Sequence, residues 1–339
     1  MLGEQMRSEM SEQPGVLDRL VARFDADVAA VAALRPRDLA GTVFIGRGSS
    51  DNAAQLGRYL TEECSGRPAG LGAISLHTRN HARVDYTGYV AAVFSQSGRT
   101  PEIVTAAEAV RTGGGRVIAV TNDEHSPLAA VADVVLPIAA GPELAVPATK
   151  TVTAQLLLAG AVAAGLAQPG RPGITAAQLR GLAAATRSVL ERADAESELA
   201  RSWRDSPVLL VTGRGPGLAA AAEIALKIRE TTGVGAQAMS TADLLHGPIA
   251  AIGAQVPVLL VGAAGALQAD VLEAADQVRA RSADARLWPA AVPGTGPADV
   301  LTSAIVAVVR GQQLAFAWSD ALRIDPDRPG GLAKITLTR

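Results

Sequence analysis

The chain has 339 residues, enough for two domains, since single cores rarely grow beyond about 250–300 residues. Apolar residues make up 48 % and aromatics only 3 %, a mix rich in Ala, Val and Leu that suits helices packed on a buried parallel sheet. A net charge of -2 and a single cysteine, Cys64, exclude an electrostatic case for nucleic acid or an acidic membrane surface, an internal disulfide and a cysteine-based zinc site.

Residues 1–13 are polar and charged, and no run is expected to reach the ~18 apolar residues that a bilayer requires, so a cytoplasmic chain with no membrane partner is expected. A first strand at 42–45 runs into Gly46-Arg47-Gly48 and a helix at 51–63. Strands at 89–94, 116–121 and 134–136 alternate with helices at 102–112 and 126–131. The run Gln168 to Gly173 is a breaker-rich linker. Beyond it, a strand at 208–211 runs into Gly213-Arg214-Gly215, 167 residues after the first such turn, and a helix at 217–231 follows. Strands at 256–261 and near Leu287 flank a helix at 267–281, a helix at 299–322 follows, and 323–339 is an irregular tail. The fold predicted is α/β, two tandem doubly wound parallel-sheet domains of flavodoxin type (1–168 with an N-terminal helix, and 174–322), with the tail at 323–339 closing the active site.

After the strand ending at Phe94 come Ser95-Gln96-Ser97-Gly98-Arg99-Thr100, with Pro101 and Glu102 opening a helix. Three hydroxyls, a flexible glycine and unpaired helix amides suit a phosphate monoester. An ordinary N-cap would need only one hydroxyl. Ser49 and Ser50 end the first strand-turn unit and face the same crevice by expectation. The second half has only Gly262-Ala263-Ala264-Gly265 at the corresponding place, so one half carries the anion site and the other different work.

Of 31 basic residues only three, Lys150, Lys227 and Lys334, are lysine. A guanidinium stays protonated, whereas an amine can lose its proton and attack a carbonyl carbon. Glu223 and Lys227 are four apart on a helix, which predicts a surface ion pair. Glu230 sits at a helix end, where the dipole disfavours a carboxylate, with Gly233 behind it to turn the chain. His246 precedes Gly-Pro in a loop and is either structural or functional. His77 and His81 lack a third metal ligand and read as a solvated face, His125 carries no role, and Cys64 reads as packing.

These segments resemble the SIS (sugar isomerase) domain family, most closely the isomerase half of glucosamine-6-phosphate synthase and the SIS-type glucosamine-6-phosphate deaminases. The matching pieces are Met6 to Pro14, Ser95-Gln96-Ser97-Gly98 with Thr100, Gly141-Pro142-Glu143 through Lys150, the 223–230 helix, His246-Gly247-Pro248 and Leu332-Ala333-Lys334. The resemblance implies that Ser95, Gln96, Ser97 and Thr100, assisted by Ser50, hold a sugar 6-phosphate, and that Ser49, Val146 and Ala333 line the sugar. It implies that His246, often from the neighbouring subunit of a homodimer, opens the ring. Glu230 would move a proton between C1 and C2, and Lys334 would attack or position the carbonyl. No cofactor or metal is implied. Pro147, Ala148 and Leu245 depart from the family pattern, and the absence of a glutaminase segment points to free ammonia rather than glutamine. The activity expected is conversion of glucosamine 6-phosphate to fructose 6-phosphate and ammonia; the alternatives are a fructosyl-amine 6-phosphate deglycase and a non-catalytic sugar-phosphate-binding protein.

Overall fold

The computed structural model describes residues 2–262, 265, 267–281, 284–292, 294 and 296–334. Residues 335–339 of the expected tail, and Ala263 and Ala264 of the second half's short loop, lie outside these. In chain order the elements are α1 (Glu4–Leu34), β1 (Gly41–Ile45), α2 (Ser49–Ser65), β2 (Ala69–Leu71), α3 (Ile74–Thr78), β3 (Tyr89–Phe94), α4 (Pro101–Thr112), β4 (Arg116–Thr121), α5 (Pro127–Val131), β5 (Val134–Pro137) and α6 (Lys150–Gly165). There follow α7 (Ala176–Leu179), α8 (Leu182–Leu190), α9 (Asp194–Ser202), β6 (Val208–Gly213), α10 (Gly217–Thr232), β7 (Gly235–Ser240), α11 (Thr241–Leu245), β8 (Val258–Val261), α12 (Leu267–Arg279), β9 (Ala285–Trp288) and α13 (Pro297–Leu322).

Both sheets are parallel, and they share a strand order: β2-β1-β3-β4-β5 in one and β7-β6-β8-β9 in the other. This is the flavodoxin-type order, whose ligand sites lie outside the carboxyl ends of the strands. The expected α/β architecture of two doubly wound sheets is therefore the one observed. The apolar runs of β3 and β4 are buried almost throughout and pack with Ile103, Ala107 and Leu128 into one core. Val258 and Leu260 of β8 form another with Leu244, Val271 and Val278.

The two glycine turns have one physical cause. A Cβ on Gly46 would lie 2.6 Å from the Ser50 backbone, and one on Gly213 would lie 2.4 Å from the Gly217 carbonyl, so each strand can enter its helix only through a residue without a side chain. The intervening arginines act alike as well. Arg47 makes a two-pronged pair with Glu102 in the first turn of α4, at 3.0 and 3.1 Å, and Arg214 pairs with Asp270 in the first turn of α12 at 2.7 Å.

The chain forms two compact units interleaved in sequence. The β6–β9 unit comprises residues 2–15, Glu143–Thr153 and Gly181–Lys334, and the β1–β5 unit comprises Val16–Pro142 and Ala154–Arg180. The division therefore runs through α1 and α6 rather than through the linker at 168–173. Pro14 sits inside α1 and removes the amide that would bond the Met10 carbonyl. The Gln13 side-chain amide donates to that carbonyl instead, at 3.2 Å.

Two expectations about chain segments are corrected. α13 is long and apolar enough to cross a membrane by length and composition, contrary to the expectation that no run reaches that size; 78 % of the relevant window is buried. Its buried residues pack on α10, α9 and α8, as a core helix does. His77 does not lie on a solvated face: it is buried, and its Nε2 is hydrogen bonded to the Tyr86 hydroxyl at 2.9 Å.

Candidate active site

In the β1–β5 unit the expected phosphate loop lies at the carboxyl end of β3. The Ser95 Oγ accepts from the Gly98 amide at 3.1 Å, the Ser97 Oγ accepts from the Arg99 amide at 3.2 Å, and the Gln96 carbonyl accepts from the Asn122 amide at 3.0 Å. Gly98 has φ +62°, and a Cβ there would meet the Ser126 Oγ at 2.1 Å. The loop is thus wound against the start of α5 by a residue that has no room for a side chain. Thr100 is the N-cap of α4, yet its side chain makes no capping hydrogen bond. A simple capping role would have used that hydroxyl; here it stands uncommitted to the cap, beside the positive end of the helix dipole. Ser50 is buried and Ser49 half-buried at the start of α2, behind the Gly46 turn. Arg99 pairs with Asp123 at 2.7 Å, a hydrogen bond that holds the Asp123 carboxyl below its ordinary range, aided by the His125 amide.

In the β6–β9 unit each of the three lysines is paired with glutamate. The Lys334 Nζ donates to Glu143 Oε2 and to the Ala145 carbonyl, both at 2.7 Å. Glu143 also accepts from the Thr149 and Thr151 amides at 2.9 and 3.1 Å and from the Thr151 hydroxyl at 2.7 Å. Burial pushes the Glu143 carboxyl up, but the Lys334 charge and the hydrogen bonds from Lys334, Thr151 and Thr149 outweigh it and hold it below the usual carboxylate range. The Lys150 Nζ donates to Glu12 Oε2 at 2.7 Å, and Glu9 accepts from the Leu144 and Ala145 amides. Burial and the neighbouring Glu143 charge push Glu9 up, against the amides and Lys334. The loop 143–151 is thereby held by two carboxylates one turn apart on α1.

Lys227 corrects the expectation of a surface pair. Its side chain is 1 % exposed and that of Glu223 0 %, with Nζ 3.4 Å from Glu223 Oε1 and bonded to Glu230. Burial would discharge the amine, but the charges of Glu223 and Glu230, the bond to Glu230 and the charge of Glu143 push its pKa above the ordinary lysine value. The i, i+4 spacing that suggests a solvated pair cannot report that α13 covers this face of α10. Glu230 itself, 22 % exposed at the side chain, stands two residues before the end of α10, where Gly233 in the left-handed conformation returns its amide to the Arg229 carbonyl.

The remaining expected residues are more dispersed. Val146 is half-buried and donates its amide to the Asp327 carbonyl at 3.4 Å; Ala333 is exposed beside Lys334. His246 caps the end of α11, is exposed, and lines a small cavity with Arg214, Thr241, Asp270 and Glu273; none of its described hydrogen bonds reaches Glu230 or Lys334. Sequence reasoning gives Glu143 no role of its own beyond its place in the resembling loop from Gly141 to Lys150, and it reads Lys227 only as half of a surface pair. Glu143 follows Gly-Pro in a loop, where neither periodicity nor helix position marks it; the retention of lysine at 227 in an arginine-rich chain was the one available sign.

The β1–β5 unit thus carries a hydroxyl-rich loop after β3, and the β6–β9 unit a set of paired lysines and glutamates. The SIS domain family matches residues 42–165. The chain is 31 % identical over 361 residues to a glutamine–fructose-6-phosphate aminotransferase (isomerizing) from Symbiobacterium thermophilum, covering 97 % of this chain and 58 % of that protein. It is similar to a solved structure assigned as a phosphosugar isomerase from Silicibacter pomeroyi DSS-3, at 32 % identity and a TM-score of 0.80, covering 96 % of this chain and all of that one. At 20 % identity it shares the fold of the C-terminal domain of glucosamine-fructose-6-phosphate aminotransferase from Francisella tularensis, with a TM-score of 0.83 over 96 % of this chain and 98 % of that domain. The chain belongs to the SIS domain family and is similar to SIS proteins of the phosphosugar-isomerase type. It spans little more than half the length of the curated aminotransferases it matches.

Proposed function

We propose that the chain is an aldose-ketose isomerase acting on a hexosamine 6-phosphate, taking glucosamine 6-phosphate to fructose 6-phosphate and ammonia. Ser95, Gln96, Ser97 and Thr100, with Ser50, bind the phosphate, and Ser49, Val146 and Ala333 line the sugar. His246 carries the anomeric proton from O1 to O5 as the ring opens, since a cyclic sugar presents no carbonyl. Glu230 removes the proton from C2 and returns it to C1. The nitrogen left double-bonded at C2 is then displaced by water, which gives the ketone and ammonia. Lys334 binds or attacks the open-chain carbonyl, for which it must exchange its Glu143 contact for the substrate. The enzyme is a homodimer in which His246 reaches the partner's site.

The observation that carries this reading is Glu230 held against a fully buried ammonium, Lys227, that is itself countered by Glu223. A carboxylate oriented in this way is suited to abstracting a proton next to a carbonyl, a contribution of about 10² to 10⁴ in rate.

The purified chain is incubated with a panel of amino-sugar phosphates and glycated-amine phosphates while ammonia, free amine and ketose phosphate are measured. Ammonia and fructose 6-phosphate from glucosamine 6-phosphate are expected, lost in Glu230→Gln. Free amine released only from fructosyl-amine phosphates would replace the reading with a deglycase, and binding without turnover would leave a sensor. Mixing inactive Glu230→Gln and His246→Ala chains is expected to restore about a quarter of the sites if each site draws on both subunits of a two-fold dimer.

A further inference from the structure

We propose that Asp327 is the positioning residue that sets where the C-terminal segment runs and so holds Lys334 at Glu143. α13 ends at Leu322, and Arg323 in the left-handed conformation (φ 58°, ψ 37°) reverses the chain. From Ile324 to Lys334 the chain has no helix or strand to fix its path. Its fixed point is Asp327. This carboxylate is buried and divides its oxygens between two amides of the first turn of α1, accepting from Met6 at 2.8 Å and from Gln5 at 2.9 Å. Asp325 accepts from the Gly3 amide at 3.0 Å and from the Asp327 amide at 3.2 Å, which shapes the turn that presents the second carboxylate. The first amides of a helix have no intrahelical partner, and an anion there gains both hydrogen bonds and the favourable end of the dipole.

An independent feature marks the same contact. Gly3 has φ +68°, and a Cβ on it would lie 2.5 Å from the Phe316 ring and 2.8 Å from Pro326. The chain before α1 and the segment after α13 therefore touch too closely for any side chain. The same helix also holds the other partner, because Glu9 and Glu12 fix the loop that carries Glu143. α1 is thus the common gauge: its N-terminal amides locate the lysine's segment, and its carboxylates locate the lysine's counter-ion. Removing Asp327 frees Lys334 while leaving Glu143 in place.

The proposal rests on the reading of Lys334 as a reacting group only in its kinetic arm. The direct arm is acylation of the intact chain with an amine-reactive reagent, followed residue by residue by mass spectrometry. Asp327→Ala is expected to raise the rate at Lys334 about ten-fold, the scale of a lost helix cap, with Asp327→Asn, which keeps one acceptor, in between and Gly3→Ala resembling Asp327→Ala. Lys150 and Lys227, 2 % and 1 % exposed at the side chain, serve as internal standards and should stay unlabelled. In turnover, Asp327→Ala should lower kcat with KM within about two-fold, and should cost nothing further when added to Lys334→Ala, because a residue acting only through another is silent in its absence. Wild-type labelling of Lys334 in Asp327→Ala, a parallel rise at Lys150 and Lys227, or additive kinetic losses would each overturn the proposal. Faster labelling in a chain that turns over no sugar phosphate would support the anchor and remove the catalytic reading; turnover with unchanged labelling would do the reverse.

Discussion

Glu143 joins three kinds of support that separate experiments can pull apart: amides at Thr149 and Thr151, a hydroxyl at Thr151 and the ammonium of Lys334. Its folded carboxyl is held below the ordinary value of 4.5 despite burial. A depressed value means that the ionised group stabilises the fold fully above the unfolded carboxylate range, and that this contribution is lost as pH falls through the folded value. Acid unfolding of Glu143→Gln should therefore begin from a lower stability at neutral pH, and its stability should fall less steeply below about pH 4.5 than that of the wild type. Equal acid slopes in urea titrations at several pH values would count against the pairing. Lys334→Arg makes the complementary test. Arginine keeps a positive charge for Glu143 but cannot form a Schiff base, so turnover should vanish while phosphate affinity stays within about two-fold. Full activity in that variant would remove Lys334 from covalent chemistry and leave it a positioning group. Cys64 behaves as the sequence suggests. Burial pushes its thiol up to about 12, so at pH 8 a thiol reagent should modify it only at the rate of unfolding.

At the scale of elements, the strands rich in Val, Ile and Ala and the two glycine turns were legible because they are local: alternation of apolar runs with helical stretches needs no knowledge of neighbours. β2, three residues ending in an exposed Leu71, and β7, with Gly, Gln and Met among its six residues, were not. They are edge strands that owe their state to pairing with β1 and β6 rather than to β-branched composition. α6 escaped for a different reason: it is apolar on all sides, and a helix buried all round has no stripe to read. The phosphate loop was legible in residue type and place, whereas the burial of Glu223 and Lys227 was not, because it comes from α13, more than 70 residues further on. Gly311 shows how tight that cover is, since a Cβ there would stand 2.3 Å from Ile224 of α10. Gly311→Ala should therefore destabilise by about 1–3 kcal/mol through overpacking, even though alanine favours a helix by about 1 kcal/mol over glycine. A thermal midpoint equal to or above that of the wild type would show that the two helices can part without loss.

The two halves of the molecule share strand order, glycine turns and an arginine-to-carboxylate brace, yet differ at the carboxyl ends of their third strands in sequence. After β3 stand Ser95, Ser97 and Thr100; after β8 the sequence is Gly262-Ala263-Ala264-Gly265, without a hydroxyl. Phosphate recognition by hydroxyls and helix amides should then belong to one sheet alone. Inorganic phosphate, which lacks the sugar, isolates that half of the recognition. Added at 100 times its dissociation constant, it should raise stability by about 2.7 kcal/mol. It should also slow amide exchange in peptides spanning Ser95 to Glu102 while leaving those spanning β8 and α12 unchanged. A Ser95→Ala, Ser97→Ala double variant should lose both effects and keep the fold, because the Ser95 amide still donates to the Val120 carbonyl and the Gln96 carbonyl still accepts from the Asn122 amide. Equal protection after β8, or protection that survives the double variant, would mean that the anion is held by the scaffold's helix dipoles in general and that the serine loop has some other purpose.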